Sequence, residues 1–241
     1  MTGKGALIDA DSLCYICSKD TIQESIDNID SMVKDIINKV NADWFVLFLS
    51  EGKYFRHDID ENYKAHRPTS SPLRWLRTLK AYLKEKYSAY VFKSAEADDL
   101  VAYFKRKYPD SIVCSGDKDV LNQVEGKNYN YRTKTFVEVD GKEALKFIFI
   151  QALMGDSTDN IKGIPGVGIK TAEKVLKDCQ ELKDFHSATF WAYVEYYKGD
   201  FVKAQQEMTM NLRLVYLLCT DEDFIRECKG LPTLDNVCTR K

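Results

Sequence analysis

Four short acidic motifs carry the side chains in this sequence that are best suited to holding metal ions. Each motif lies where an apolar run gives way to polar residues, which is where strands and helices end. Carboxylate oxygens in this number suit Mg²⁺ or Mn²⁺ rather than zinc, because hard cations prefer oxygen ligands. The motifs are Ile8-Asp9-Ala10-Asp11, Glu96-Ala97-Asp98-Asp99, Gly116-Asp117-Lys118-Asp119 and Gly155-Asp156-Ser157-Thr158-Asp159-Asn160.

A pair of divalent ions about 4 Å apart is the usual device by which proteins cleave phosphodiesters. One ion activates the attacking water, and the other stabilises the leaving oxygen. A pocket of several carboxylates needs such cations, since two unit charges about 4 Å apart repel by about 4 kcal/mol at an effective dielectric near 20. Each motif alone would equally suit a helix cap or a turn, because Asp favours helix starts. Spacing alone therefore leaves both a metal site and a set of caps open.

A glycine-rich stretch is the most specific pattern in the chain. Its three glycines permit a tight hairpin with exposed backbone N–H groups, followed by a helix whose N-terminus aims at the same place. Such a hairpin binds phosphate oxygens without reading a base, and a lysine beside it adds a charge-assisted contact. A plain turn between helices is the other interpretation, although it would need fewer glycines. The stretch reads Gly163-Ile164-Pro165-Gly166-Val167-Gly168-Ile169-Lys170-Thr171-Ala172.

The elements that must position these motifs alternate between short apolar runs and helical periodicity. This alternation predicts an α/β fold, in which a mostly parallel central sheet carries helices on both faces. Ligands in such folds bind outside the carboxyl ends of the strands, where Asp9 and Asp117 fall. From Gly155 onward the pattern is helical, which predicts domains at 1–154 and 155–241. The predicted strands are 6–8, 44–49, 90–92, 111–114, 129–132 and 136–139, and the predicted helices are 22–40, 73–86, 97–107 and 142–154.

The bulk properties are those of a globular protein of 241 residues with a net charge of −2. No apolar run is long enough to span a membrane, and the N-terminus lacks a secretory signal. The seven cysteines are scattered, so we expect reduced thiols in a cytoplasmic protein. Residues 63–93 hold eight Lys or Arg against one acid, which favours contact with a polyanion although such a run also suits a solvated helix face.

In their order along the chain, these motifs resemble the 5′-3′ exonuclease and flap endonuclease family. That family includes the N-terminal nuclease domain of bacterial DNA polymerase I and stand-alone phage enzymes, and by its length this chain resembles the phage type. The resemblance runs from about Ala6 to about Lys177 and implies a PIN-like nuclease domain followed by a helix-hairpin-helix element. The resemblance extends to two further segments, Phe55-Arg56 and Tyr63-Lys64-Ala65-His66-Arg67-Pro68.

The resemblance also implies roles for individual residues. Lys64 and Arg67 would contact the scissile phosphate and, with Asp9 and Asp117, would be the catalytic residues, while Tyr63 would either stack on a terminal base or pack inside the protein. Two Mg²⁺ ions, replaceable by Mn²⁺, would bind at the carboxylates, and K⁺ at the helix-hairpin-helix. The first metal site would take Asp9, Glu96, Asp98, Asp99 and Asp117, and the second Asp119, Asp156 and Asp159. The implied DNA contacts are Tyr63, Lys64, Arg67, Arg74, Arg77, Gly163, Gly166, Gly168, Lys170 and Thr171.

The function that the resemblance implies is metal-dependent hydrolysis of DNA at 5′ ends, flaps or nicks, leaving a 5′-phosphate, in replication or repair. The protein would act as a monomer in the cytoplasm, or in the host cytoplasm if phage-encoded, without a membrane. A ribonuclease that removes RNA primers from RNA–DNA hybrids would use the same metal chemistry. A non-catalytic DNA-junction binder is the alternative from another class, although it would not need eight intact acids.

The sequence departs from the family pattern at two places. Many members carry an aspartate after the second strand, whereas this chain reads Leu49-Ser50-Glu51-Gly52, so that Glu51 would have to substitute or the first site would have one ligand fewer. Only 28 residues, 68–95, separate Arg67 from Glu96. Family members often form a helical arch there, and the basic segment 74–86 is the only candidate for it.

Overall fold

The computed structural model describes residues 3–66, 74–234 and 239–240 of the chain. The chain divides into two compact units, each assembled from segments that are distant in sequence. We call the first the sheet unit, which comprises Met1–Phe55, Thr69–Val139 and Leu217–Lys241. We call the second the helical unit, which comprises Arg56–Pro68 and Asp140–Tyr216.

The described residues of the sheet unit form six strands, most of which are parallel, as the sequence predicts. They are β1 (Gly5–Asp9), β2 (Trp44–Phe48), β3 (Ile112–Ser115), β4 (Gly126–Asn130), β5 (Thr135–Val139) and β6 (Thr239–Arg240). Their order in the sheet is β5-β4-β3-β1-β2-β6. β1 runs parallel to both β2 and β3, and β3 runs parallel to β4, whereas β5 and β6 are antiparallel to their neighbours. The carboxyl ends of β1, β2 and β3 therefore meet at one edge.

The strand predicted at 90–92 is wrong. Tyr90 makes a single parallel bridge to Phe48, with its N–H on the carbonyl of Leu47 and its carbonyl on the N–H of Leu49. Left-handed backbone at Ser88 (φ 51°) and Ser94 (φ 70°) turns the chain on either side of this bridge. Between these two turns the segment makes this one bridge to β2 and no ladder.

Helices cover both faces of the sheet, which confirms the predicted α/β architecture. On one face, Ile29 and Val33 of α2 and Leu79 of α4 are buried against alternate strand residues. On the other face, the ring of Phe104 in α5 stacks on Phe48 of β2 with 5.4 Å between centroids. The helices of the chain are α1 (Asp11–Cys17), α2 (Ile22–Val40), α3 (Arg56–Ile59), α4 (Leu76–Tyr87), α5 (Ala97–Lys107), α6 (Lys118–Gln123), α7 (Gly141–Met154), α8 (Ile169–Val175), α9 (Leu182–Tyr196), α10 (Phe201–Val215) and α11 (Asp221–Cys228).

The helical unit is formed by α3 and α7 to α10 around a core of its own. Tyr193 of α9 is fully buried, and its hydroxyl donates to the carbonyl of Ala152 in α7 at 2.7 Å. Arg56 ties the short segment before Pro68 to this unit, because its guanidinium donates to the carbonyls of Leu214 and Tyr216 at the end of α10. No helix in the described residues combines the length and apolar character that crossing a membrane requires.

Candidate active site

Asp9 ends β1 and is buried at the carboxyl edge of the sheet, with 1% of its surface exposed. One of its carboxylate oxygens accepts the hydroxyl proton of Ser115 at 2.7 Å, and the other accepts the N–H of Asp11 at 3.2 Å. The hydroxyl of Tyr131 donates to the Asp9 carbonyl at 2.8 Å. The carboxylate is therefore fixed by Ser115 of β3 and Asp11 of α1, while Tyr131 holds the backbone of the same residue.

The environment of Asp9 disfavours its negative charge. Burial raises the pKa of Asp9 to about 7, and the charges of Asp11 and Asp117 act in the same direction. Hydrogen bonds from Ser115 and from the backbone of Asp11 oppose this rise without cancelling it. A buried carboxylate beside two others is stabilised by a cation, which is the electrostatic condition that the acidic motifs predicted.

Asp117 joins Asp9 through a shared serine. The hydroxyl oxygen of Ser115 accepts the N–H of Asp117 at 2.9 Å while its proton goes to Asp9. Asp117 is also the N-cap of α6, where its carboxylate accepts the N–H of Asp119 at 2.8 Å. Both of the functions that the sequence left open for this motif, cap and member of an acidic cluster, are thus combined in one side chain. Nothing in the sequence pattern singled out Ser115.

The second acidic motif is brought to the same edge by a hydrogen bond between α5 and the end of β2. The N–H of Ala97, the first residue of α5, donates to the hydroxyl of Ser50 at 2.8 Å. Burial raises the pKa of the nearby Tyr54 phenol, and the charges of Glu96, Asp11 and Asp98 contribute to this rise. The carboxylates of the first and second motifs therefore both act on one partly buried phenol.

Asp99 has a structural function that the sequence did not reveal. It is fully buried, and its two carboxylate oxygens accept the N–H groups of Glu96 and Leu218, each at 3.0 Å. The first bond belongs to a capping box that begins α5. The second holds the chain just before α11, so that Asp99 joins segments of the sheet unit that lie far apart in sequence.

We expect Asp99→Asn to destabilise the sheet unit by about 1–3 kcal/mol, because an amide N–H₂ would then face a backbone donor. Asp98→Asn, one residue earlier on a partly exposed face, is expected to cost less than Asp99→Asn, because its carboxylate is not fully buried. Urea unfolding of both variants measures the difference. Equal losses would show that the two bonds of Asp99 contribute little.

The donor set at this edge fits a hard divalent cation, since all of its members are oxygens and one of them is a destabilised buried carboxylate. Among the described residues, however, no three His, Cys, Asp or Glu side chains are close enough to hold one metal ion as they are placed here. The polar groups that hold the carboxylates of Asp9 and Asp11, Ser115 and Ser50, come from the strand ends rather than from the motifs themselves.

The metal-free protein is expected to lose stability as the pH rises from about 4 to 7, because Asp9 ionises near 3.8 when unfolded but near 7 when folded. The folded state then binds more protons than the unfolded state, so stability falls with pH. The loss is on the order of a few kcal/mol, since each tenfold change in an acid dissociation constant corresponds to about 1.4 kcal/mol. Asp9→Asn should remove this contribution, which urea unfolding in EDTA at pH 5 and pH 8 would measure. The same pH dependence in both proteins would contradict it.

In the helical unit, Lys64 and Tyr63 both contact Asp159. The Lys64 ammonium lies 3.5 Å from the Asp159 carboxylate, and the Tyr63 hydroxyl donates to the same group at 3.0 Å. Lys64 adopts a left-handed backbone (φ 56°), and its N–H donates to the Asp159 carbonyl at 2.9 Å. Because the Tyr63 ring is only 3% exposed, the structure supports the packing function and not stacking on a base. Arg67 lies outside the described residues.

Asp156 begins the turn that carries Asp159. Its backbone N–H and carbonyl both pair with Ile161, and its carboxylate accepts the N–H of Thr158 at 2.7 Å. The side chain is partly exposed. Asp156, Asp159 and Lys64 thus all lie within the helical unit.

The glycines of the hairpin between α7 and α8 do two different things. Gly163 is buried at φ +57°, and its N–H donates to the Asn211 side chain at 3.2 Å, so that this N–H is not available to a phosphate. Gly166 and Gly168 are exposed and have open space where a Cβ would lie. The phosphate contact predicted for Gly163 is therefore replaced by an internal one, whereas Lys170 and Thr171 are exposed beside Gly168.

Arg74, Arg77 and Lys84 of the basic segment lie at the surface of the sheet unit. Arg74 and Arg77 are exposed, and the Arg74 guanidinium lies 4.6 Å above the ring of Trp75. Lys84 instead pairs with the carboxylate of Glu51 at 2.6 Å. Glu51 is therefore engaged by a lysine at the surface, where its side chain is 44% exposed.

Comparison with known proteins decides the family. Residues 7–148, more than half of the chain, match the family described as "5′-3′ exonuclease, N-terminal resolvase-like domain". Residues 143–224 match "5′-3′ exonuclease, C-terminal SAM fold". The chain belongs to the 5′-3′ exonuclease family. This confirms the resemblance seen in the motifs.

Individual members of the family share about a third of their aligned residues with this exonuclease-family chain. A 5′-3′ exonuclease of Bacillus subtilis is 31% identical over 54% of the chain and 50% of its own length. A flap endonuclease, Xni, of Shewanella piezotolerans is 32% identical over 56% of the chain and 58% of its own length. The chain thus spans about half the length of the curated relatives that it matches.

A solved structure shares the fold. The flap endonuclease of bacteriophage T5, crystallised as a complex with DNA and metal ions, superposes with a TM-score of 0.71 at 18% identity, and the match covers 89% of each chain. At this level of identity the likeness concerns the fold. It supports the mostly parallel sheet followed by a helical region.

Proposed function

We propose that this protein is a divalent-metal-dependent 5′ nuclease, which hydrolyses DNA phosphodiesters at 5′ ends, flaps or nicks and leaves 5′-phosphates. The observation that carries the proposal is the buried carboxylate of Asp9 at the carboxyl edge of the sheet. Burial and the charges of Asp11 and Asp117 disfavour its ionised form. A buried carboxylate next to two others destabilises the folded protein unless it binds a cation. Membership of the 5′-3′ exonuclease family supplies the reaction class.

The ions would be Mg²⁺, with Mn²⁺ as a substitute, and when bound they supply the charge that activates water and stabilises a leaving oxygen. In the sheet unit, Asp9, Asp117 and Glu96 would hold an ion, with Asp98, Asp99 and Asp119 adjoining them. Ser115 would keep the Asp9 and Asp117 carboxylates oriented during this binding, since it bonds both residues. In the helical unit, Asp156 and Asp159 would contribute ligands for another ion.

The remaining polar groups would bind the DNA backbone rather than its bases. Lys64 would neutralise the scissile phosphate after leaving Asp159, from which it is separated by 3.5 Å. The exposed part of the glycine hairpin, Gly166 to Thr171, would contact phosphates through backbone N–H groups such as that of Gly168 and through the side chains of Lys170 and Thr171, with K⁺ as a bridging cation. The N–H groups of Val167 and Thr171 already donate to the carbonyls of Ile164 and Gly168. Arg74 and Arg77 would add contacts that weaken steeply with salt. We propose that the protein does this as a cytoplasmic monomer.

A set of 5′-labelled DNA substrates tests the proposal: a flap, a nicked duplex and a blunt duplex, each incubated with Mg²⁺ or with EDTA. We expect Mg²⁺-dependent products that carry a 5′-phosphate, and none in EDTA. A matched RNA–DNA hybrid distinguishes the ribonuclease alternative, which requires faster cleavage of the hybrid than of DNA. Tight binding of all substrates without any metal-dependent product would replace the proposal with a junction-binding protein.

A further inference from the structure

One lysine of the basic segment reaches the carboxylates at the edge of the sheet. The Lys80 ammonium lies 2.6 Å from the Asp11 carboxylate and donates to the carbonyl of Ser50 at 2.8 Å. The other oxygen of Asp11 accepts the N–H of Ser50 at 3.1 Å, which closes a ring of three residues from α1, α4 and the end of β2. The Lys80 side chain is only 18% exposed.

This ring is connected to the proposed metal ligands on both sides. Through its N–H, Asp11 bonds the carboxylate of Asp9, and its charge is one of those that disfavour an ionised Asp9. Through its hydroxyl, Ser50 bonds the N–H of Ala97, the residue after Glu96. The positive charge of Lys80 thus lies beside the acidic cluster of Asp9, Asp11 and Asp117, two hydrogen bonds away from the buried carboxylate of Asp9.

The neighbouring lysines of α4 do not share this position. Lys86 pairs with Asp30, and in this pair the two side chains are 46% and 30% exposed. Exposed pairs of this kind contribute little to stability. Lys80, by contrast, remains protonated although it is largely buried: burial lowers its pKa, but the charge of Asp11 and the hydrogen bond to it raise the pKa above its usual value on balance.

We propose that Lys80 is the internal counter-ion of the acidic cluster: it neutralises Asp11 in the metal-free protein and lowers the affinity of the Asp9 site for its divalent ion. The inference rests on the proposed use of Asp9 for a metal. Without Lys80, Asp11 would remain as a largely buried charge without its cation, which is destabilising until a metal binds. Lys80 is therefore a positioning residue that lowers metal affinity while stabilising the metal-free state.

The test measures Mn²⁺ binding by calorimetry with the full chain, in the presence and absence of Asp156→Asn, which removes a ligand proposed for the helical unit. Lys80→Gln keeps a donor for Ser50 but removes the charge, and we expect it to bind Mn²⁺ roughly tenfold more tightly, because a unit charge at short range in a partly buried site is weakly screened. Lys80→Arg and the matched control Lys86→Gln are expected to stay within about twofold of the parent protein.

Thermal unfolding in EDTA gives a second measurement that does not depend on metal. Lys80→Gln is expected to lower the melting temperature more than Lys86→Gln, and adding Asp11→Asn to Lys80→Gln should restore it, because the unpaired charge is then gone. This double variant also keeps the test decisive if Lys80→Gln alone folds poorly. Simple loss of packing would predict no recovery.

The outcomes separate the two proposals. If the parent protein and Lys86→Gln take up no Mn²⁺ at the sheet unit, the proposed metal site is wrong, and the inference about Lys80 falls with it. If they bind Mn²⁺ but Lys80→Gln binds with equal or weaker affinity, only the inference is overturned. Tighter binding by Lys80→Gln, together with recovery in the double variant, supports it.

Discussion

The double variant Asp117→Asn with Asp156→Asn is expected to stop DNA cleavage while leaving duplex binding in Ca²⁺ intact. Each substitution replaces a proposed ligand with a neutral amide of the same shape, one in each unit. The cleavage rate should fall by more than about 100-fold. Loss of a group that only orients a metal ligand lowers activity by up to about 100-fold, and loss of the ligands themselves should lower it further. Backbone contacts by the glycine hairpin and the arginines are unchanged, so affinity should persist.

A matched control separates loss of ligands from loss of negative charge. Asp27→Asn with Asp200→Asn also removes two negative charges, but from other positions. One lies at an exposed position on α2 and the other at the N-cap of α10. We expect cleavage by this control to stay near that of the parent protein. The metal assignment would be refuted by equal cleavage rates in the two double variants, measured on a 5′-labelled flap with Mg²⁺.

The variant Gly163→Ala is expected to destabilise the helical unit by about 3–4 kcal/mol. A Cβ at this position would lie 2.3 Å from the Gly155 nitrogen and 2.5 Å from the Met154 carbonyl carbon, both of which are backbone atoms that cannot move aside. Overpacking of this kind costs about 1–3 kcal/mol, and a left-handed backbone adds about 1–2 kcal/mol for a residue with a side chain. Circular dichroism should show a fall in melting temperature of roughly 10 °C.

Gly168→Ala is the corresponding control, since a Cβ there meets nothing within 4 Å and φ is −105°. Its melting temperature is expected to stay unchanged, while the added methyl group on the exposed hairpin should weaken duplex binding. If Gly163→Ala instead melted like the parent protein and lost only DNA affinity, the close approach of the two backbone segments would not be a determinant of stability.

The sequence was sufficient to predict the architecture where the apolar pattern of a segment agreed with its place in the alternation of strands and helices. The short apolar runs that became β1, β2 and β3 were found because buried parallel strands are apolar on both faces. The segment at 90–92 is also apolar but forms one bridge only, since the turns on either side of it are set by Ser88 and Ser94. Left-handed serines carry no compositional signal of the kind that glycine provides.

At the site, residue types predicted the chemistry but not which residue has which function. Asp9 and Asp117 were found because carboxylates at strand ends meet in a parallel sheet. Asp99 and Gly163 also belong to motifs that the sequence singled out, yet their polar groups bond Leu218 and Asn211, which are distant in sequence. Such partners are set by the tertiary fold, so spacing within a motif cannot reveal them. Ser115 was missed because a serine at the end of a strand is too common to be diagnostic.

The bond between Asp99 and Leu218 has a consequence for the order of events during translation. Asp99 leaves the ribosome early, whereas Leu218 follows only after residues 140–216, all of which belong to the helical unit. A nascent chain therefore holds its acidic residues for some time without one of the two backbone donors that fix Asp99. Since domains tend to fold as they emerge, the acidic edge reaches its final form only after the helical unit has been synthesised.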